Sequence, residues 1–141
     1  MNAKNIAAVA ITLLMTITAC GQDSVQDSEE QATTAAETWL VLLDAGDYAE
    51  SWESASGLVK NAVSKDQWVQ SMESARKVFG SPTERTLKSR KYVTSLPGAP
   101  DGHYVVIQYD TSFEKKEAAV ETVTPMLDSD GQWKVSGYYI K

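Results

Sequence analysis

His103-Tyr104-Val105-Val106-Ile107-Gln108-Tyr109-Asp110-Thr111-Ser112-Phe113-Glu114 alternates with a period of two. Val105, Ile107, Tyr109 and Phe113 fall on one face, Tyr104 and Val106 on the other, which predicts a strand with one side against a core. The dense turn Leu96-Pro97-Gly98-Ala99-Pro100-Asp101-Gly102 precedes it. Beyond that turn, Thr86 to Ser95 alternates as well, setting Leu87, Ser89, Lys91 and Val93 against Thr86, Lys88, Arg90 and Tyr92. On the other side Lys115-Lys116-Glu117 reads as a turn, Ala118 to Leu127 as a third strand, and Asp128-Ser129-Asp130-Gly131 as a hairpin loop. Gln132 to Ile140 is then a fourth strand, with Trp133, Val135, Gly137 and Tyr139 expected on one side. Pro125 late in the third strand implies an edge or a bulge, because proline has no amide hydrogen to donate.

The chain before Pro82 follows a helical period instead. Ala32, Ala36, Trp39, Leu40 and Leu43 make one apolar stripe. Gly46 is placed to end that helix in the left-handed conformation, and Asp47 to cap a second one carrying Tyr48, Ala49, Trp52 and Ala55. Ser56-Gly57 interrupts, and Leu58 to Val63 reads as a short helical or irregular bridge. Ser64-Lys65-Asp66-Gln67 is a capping-box signature that opens a third helix with Trp68, Met72, Ala75 and Phe79 on one side. Gly80-Ser81-Pro82 stops it. Three helices followed by four strands in hairpin succession predict an α+β domain, the helices on one face of a curved four-stranded antiparallel sheet.

Ahead of residue 32 the composition changes twice. Lys4, the apolar run Ile6 to Ile17 and the small residues Thr18-Ala19 have the three parts of an export signal. The twelve-residue run is well short of the ~20 residues a membrane-spanning helix needs. Ile17-Thr18-Ala19-Cys20-Gly21 resembles the processing site of bacterial lipoproteins. That resemblance implies cleavage before Cys20, acylation of its thiol and amino group, and attachment to a membrane through the acyl chains. Gly21, in place of an aspartate, resembles the outer-membrane-sorted kind, facing the periplasm. Gly21 to Gln31 holds one aliphatic residue and four carboxylates, and is expected to be a solvated tether. The expected organisation is a leader over 1–19, acylated Cys20 with a polar tether over 20–31, and one domain over 32–141.

The full sequence carries 13 basic and 19 acidic side chains, net −6, and loss of Lys4 with the leader makes it −7. Phosphate backbones repel such a chain, so nucleic acid is not an expected partner. The single cysteine excludes an intramolecular disulfide, and acylation accounts for its thiol. One histidine (His103) and no ligand pair at helical spacing point to no metal site and no cofactor. Asp44, Tyr48, Tyr109, Asp110, Glu121 and Tyr138 are the candidate acids and tyrosines, but no spacing forces two together. No catalytic residue is assigned. Trp39, Tyr48, Trp52, Tyr109 and Trp133 are the candidate lining of an apolar pocket, with core packing as the alternative. Lys88, Arg90 and Lys91 form a small basic cluster.

Trp39-Leu40, Leu43-Asp44-Ala45-Gly46-Asp47-Tyr48, Ser51-Trp52, Val63-Ser64-Lys65, Trp68-Val69, Thr94 to Gly102, Val105 to Phe113, Glu121 to Met126 and Trp133 to Ile140 together resemble the bacterial family called domain of unknown function 4019, over about residues 33–141. The order of elements is similar to the nuclear transport factor 2-like (cystatin-like) superfamily. That similarity implies a cone with a cavity between helices and sheet, and a homodimer through the sheet as an open expectation. The functional expectation is an envelope binding or interaction module, its partner an apolar small molecule or another envelope protein. The alternative is a small hydratase- or isomerase-like enzyme using a cavity carboxylate or tyrosine.

Overall fold

The computed structural model describes residues 20–141, so the leader over 1–19 lies outside the described residues. Four helices come first: α1 (Cys20–Asp44), α2 (Tyr48–Glu53), α3 (Gly57–Ala62) and α4 (Lys65–Phe79). Four strands follow: β1 (Pro82–Val93), β2 (Tyr104–Phe113), β3 (Lys116–Leu127) and β4 (Trp133–Ile140). They form one antiparallel sheet in the order β1-β2-β3-β4. The sheet is not strongly curled.

The stripe Ala32, Ala36, Trp39, Leu40 and Leu43 is buried and lays α1 across all four strands. Gly46 ends the helix at φ +80, a conformation glycine adopts without a Cβ clash. The amides of Asp47 and Gly46 bond back to the carbonyls of Leu42 and Leu43, closing a Schellman motif. Asp47 is the N-cap of α2 as expected, but its side chain makes no capping bond. The bridge 58–63 is mostly helical, giving four helices rather than three. Ser56 Oγ accepts from the Val59 amide, and the Asp128 carboxylate accepts from the Gly57 amide at 3.0 Å. The second bond comes from 71 residues away, so local sequence could not announce it. Ser64 and Gln67 form the expected capping box at the start of α4.

The polar stretch 21–31 is helical rather than an extended spacer. Glu29 Oε1 accepts from the Tyr92 amide at 2.9 Å, and Glu29 and Glu30 each stand 3.8 Å from the Arg90 guanidinium. These contacts with β1 hold a segment whose own side chains have little to bury. Among the described residues no helix is long and apolar enough to cross a membrane.

Two register slips redirect the strand faces. Leu87 pairs with Tyr109 but Ser89 with Gln108, leaving Lys88 as the extra residue. Arg85 and Leu87 therefore share the helix side with Arg90 and Tyr92, not with Ser89, Lys91 and Val93. Pro125 pairs with Val135 but Thr124 with Gly137, so Ser136 is extra. Pro125 thus sits at a bulge of an inner strand, not at an edge. The same slip turns Tyr138 toward the core opposite Val123, while Tyr139, expected on the same side as Val135, is exposed. The β2–β3 turn is shorter than expected, with Lys116 already in β3. Val105, Ile107 and Tyr109 of β2 face the helices as the alternation requires.

Candidate functional site

Glu121 sits in the middle of β3 with Ala119 and Val123 on the same buried face, where period two calls for an apolar residue. Its carboxylate is fully buried. Five other elements supply the groups that make this tolerable. Arg85 of β1 donates from Nε to Oε1 at 2.7 Å and from Nη2 to Oε2 at 3.2 Å. Thr111 of β2 donates to Oε1 at 2.7 Å, and the Tyr138 hydroxyl of β4 donates to Oε2 at 2.5 Å. The last residue of α1, Asp44, takes the other edge of Arg85, from Nη1 at 2.7 Å and Nη2 at 3.0 Å. Arg76 of α4 completes the group. Its Nη2 lies 3.0 Å from Asp44 Oδ1, donates to the Tyr138 hydroxyl at 3.2 Å, and stands 3.6 Å from Glu121.

Two guanidiniums thus meet two carboxylates, and the buried group is neutral as a whole. Charges taken from water need such pairing and near-complete hydrogen bonding to repay their desolvation. Burial alone would pull Arg85 toward its neutral form, but the hydrogen bonds to Asp44 and Glu121 outweigh it and hold the guanidinium above the ordinary arginine range. Burial and then the Glu121 charge push the Tyr138 hydroxyl far above the ordinary tyrosine value, so it stays a donor. Burial pushes Tyr109 up to about 12, with the charge of Glu37 adding to it. Each oxygen of Glu121 already takes two donors. A carboxylate so engaged has no free lone pair to act as a general base.

The group comes to the surface in an open cleft of about 490 Å³ formed by Leu43, Asp44 and Tyr48, by Glu73, Arg76 and Lys77 of α4, and by the turns at Gly80-Ser81 and Glu114-Lys115. A second cleft of about 390 Å³, largely apolar, runs between α1 and the β4 edge and includes Trp39, Leu42 and Trp133. The five residues read as pocket lining are therefore not gathered in one place. Tyr48 borders the charged cleft, Trp39 and Trp133 the apolar one, and Tyr109 is buried in the core with its hydroxyl unpartnered. Trp52 is half-buried, its indole donating to the Val63 carbonyl at 3.1 Å. Trp39 and Trp68 both donate to Ser51, to its carbonyl at 2.8 Å and its Oγ at 3.0 Å. Their polar edges are committed to holding α2 between α1 and α4.

Of the candidate acids and tyrosines, Asp44, Glu121 and Tyr138 come together, whereas Asp110 is exposed and pairs with Lys88 at 3.2 Å. His103 is exposed and bonds through Nδ1 to the Tyr92 hydroxyl. Among the described residues no cluster of three His, Cys, Asp or Glu could hold a metal ion. Arg76 and Arg85 went unread in the sequence. An arginine interrupting the apolar side of a capped helix, and a glutamate at an inward position of a buried strand, were the available signals.

The family model described as "Protein of unknown function (DUF4019)" matches residues 35–138. The chain belongs to this family. The DUF4019 match runs from α1 to Tyr138, and so takes in all six members of the buried network, Asp44, Arg76, Arg85, Thr111, Glu121 and Tyr138. No curated protein and no solved structure matches the chain.

Proposed function

We propose that this DUF4019 chain is a cell-envelope lipoprotein, acylated at Cys20, whose α+β domain is a binding module rather than an enzyme. The observation that carries the binding reading is the open charged cleft built on a network whose acids and bases are spent on one another. Such a floor is neutral and suited to recognition, and the carboxylate at its centre is not free to act as a general base. The hydratase- or isomerase-like alternative has less to draw on, since Glu121 is saturated and Tyr138 is held as a donor.

The anchor reading rests on Ile17-Thr18-Ala19-Cys20-Gly21, and Gly21 favours the outer membrane with the domain toward the periplasm. α1 starts at Cys20 and ends beside the cleft. A 25-residue helix is about 38 Å long, so the cleft would stand that far from the acylated residue. The cone-like, nuclear transport factor 2-like assignment belongs to this proposal as analogy. The order of helices and hairpin strands supports it, and the weak curl of the sheet does not.

Two experiments test these readings. Cys20→Ser abolishes acyl labelling and releases the protein from membranes; continued membrane retention sinks the anchor. Native mass spectrometry of the exported, unlipidated chain shows added mass near one ligand per protein. Bare protein from gentle preparations overturns small-molecule binding.

A further inference from the structure

We propose that the charged cleft takes a small zwitterion, a free carboxylate with a nearby amine as in an amino acid or short peptide, with the carboxylate drawn to the Arg76 guanidinium. The assignment deepens the binding-module reading and rests on it. Arg76 is only 6% exposed, yet it lines the cleft. The rings of Phe113 and Tyr138 lie 5.5 and 5.8 Å from its guanidinium carbon, so cation–π contacts already engage the group. Nη2 is spent on Asp44 and the Tyr138 hydroxyl. Nε–H is buried and has no acceptor.

A buried donor without a partner costs about 1–3 kcal/mol, and native structures rarely leave one so. Asp44 and Glu121, the carboxylates that approach Arg76 through Nη2, are both held by the forks of Arg85. A carboxylate from outside is a strong acceptor for a guanidinium N–H. The rest of the cleft says what must accompany it. Lys77, Lys115, Glu73 and Glu114 line the same space, and none forms an ion pair among the described residues. Lys115 instead donates to the Lys77 carbonyl at 3.1 Å. A simple anion would meet repulsion from Glu73 and Glu114, whereas a zwitterion meets a counterpart for each charge. The cleft volume, about 490 Å³, is in the range of small-ligand sites.

The test uses the exported full chain in detergent, labelled with ¹⁵N at arginine and titrated with glycylglycine. The Arg76 Nε–H resonance, identified by its loss in Arg76→Lys, shifts saturably. Glycylglycinamide, which lacks the carboxylate, binds about tenfold more weakly or worse, the loss of one charge-assisted bond. N-acetylglycylglycine, which lacks the amine, also binds more weakly than the parent dipeptide. Because Arg76 variants disturb the network, Lys77→Ala and Glu114→Gln supply an independent arm: each weakens glycylglycine binding and leaves the thermal midpoint within a few degrees. No saturable shift overturns the proposal, as does equal affinity for the dipeptide and its amide. A native mass spectrum showing a bound molecule without a carboxylate would leave the binding module standing and remove this ligand class.

Discussion

Glu121→Gln removes one charge from the centre of the domain while keeping the shape. In the parent, Arg85, Thr111 and Tyr138 place four hydrogen bonds on this fully buried carboxylate. The amide oxygen can keep the bonds of one carboxylate oxygen, but the NH₂ group is a donor and must face either Arg85 and Thr111 or Arg85 and Tyr138. Two guanidiniums are then left with the single carboxylate of Asp44. Removing one member of a buried ion pair costs about 3–5 kcal/mol. Asp44 is 25% exposed, so water relieves part of the imbalance and the lower end, ~3 kcal/mol, is expected. For a domain of this size that is about 10–15 °C in Tm and a large share of a total stability of about 5–15 kcal/mol. Urea unfolding followed by tryptophan fluorescence measures it, provided the slope of the transition is unchanged. A companion variant sharpens the reading. Arg85→Met with Glu121→Leu removes one charge of each sign, leaves Arg76 paired with Asp44, and should lose less than the two single changes added together. A loss below about 1 kcal/mol for Glu121→Gln, or strict additivity in the double variant, would refute the view that charge balance holds this site together.

Three further outcomes follow from the same packing. Ser51→Ala strips the acceptor from the Trp68 indole and the donor from the Tyr48 carbonyl, and should cost about 2 kcal/mol in thermal unfolding; a change within ~0.5 kcal/mol contradicts the role given to Ser51. Gly80 adopts φ +77 and ψ −165, a region left almost wholly to glycine, and an added Cβ would lie 3.0 Å from Glu114 Cβ. Gly80→Ala should therefore lose about 2 kcal/mol or more, measured by urea midpoint, and a neutral result would show the α4–β1 turn to be freely remodelled. Tyr109→Phe deletes a buried hydroxyl without a partner, so stability should hold or rise by up to about 1 kcal/mol. The raised Tyr109 value also sets a pH dependence. The unfolded chain ionises first, near pH ~10, so the stabilisation is whole below that and drains away as pH climbs toward about 12. Urea midpoints across that alkaline window should fall less steeply in Tyr109→Phe than in the parent; identical slopes would count against it.

Periodicity alone carried a good part of the fold. The four strands, the α1 stripe, the capping box at Ser64 and the left-handed Gly46 all depend on residues within a few positions of one another, and all stand in the structure. The helical state of 21–31 was hidden because its support comes from β1, through Tyr92 and Arg90. The inward turn of Tyr138 was hidden because one extra residue at Ser136 reverses the alternation on which face assignments rest. Asp44, Glu121 and Tyr138 could be named as candidates from residue type, yet nothing local joined them to Arg76 and Arg85.

By itself the sequence determined the class of the domain and the succession of helices and hairpins, because each is written in short-range pattern. Tertiary structure alone decided where the charges meet. Arg85 reaches Asp44 across 41 positions and Glu121 across 36, and these separations are bridged only when α1 lies on the sheet and the register slips have set the strand faces. Electrostatics acts through distance in space, and a buried carboxylate reads along the chain as an error in an apolar strand until its guanidinium partners fold onto it.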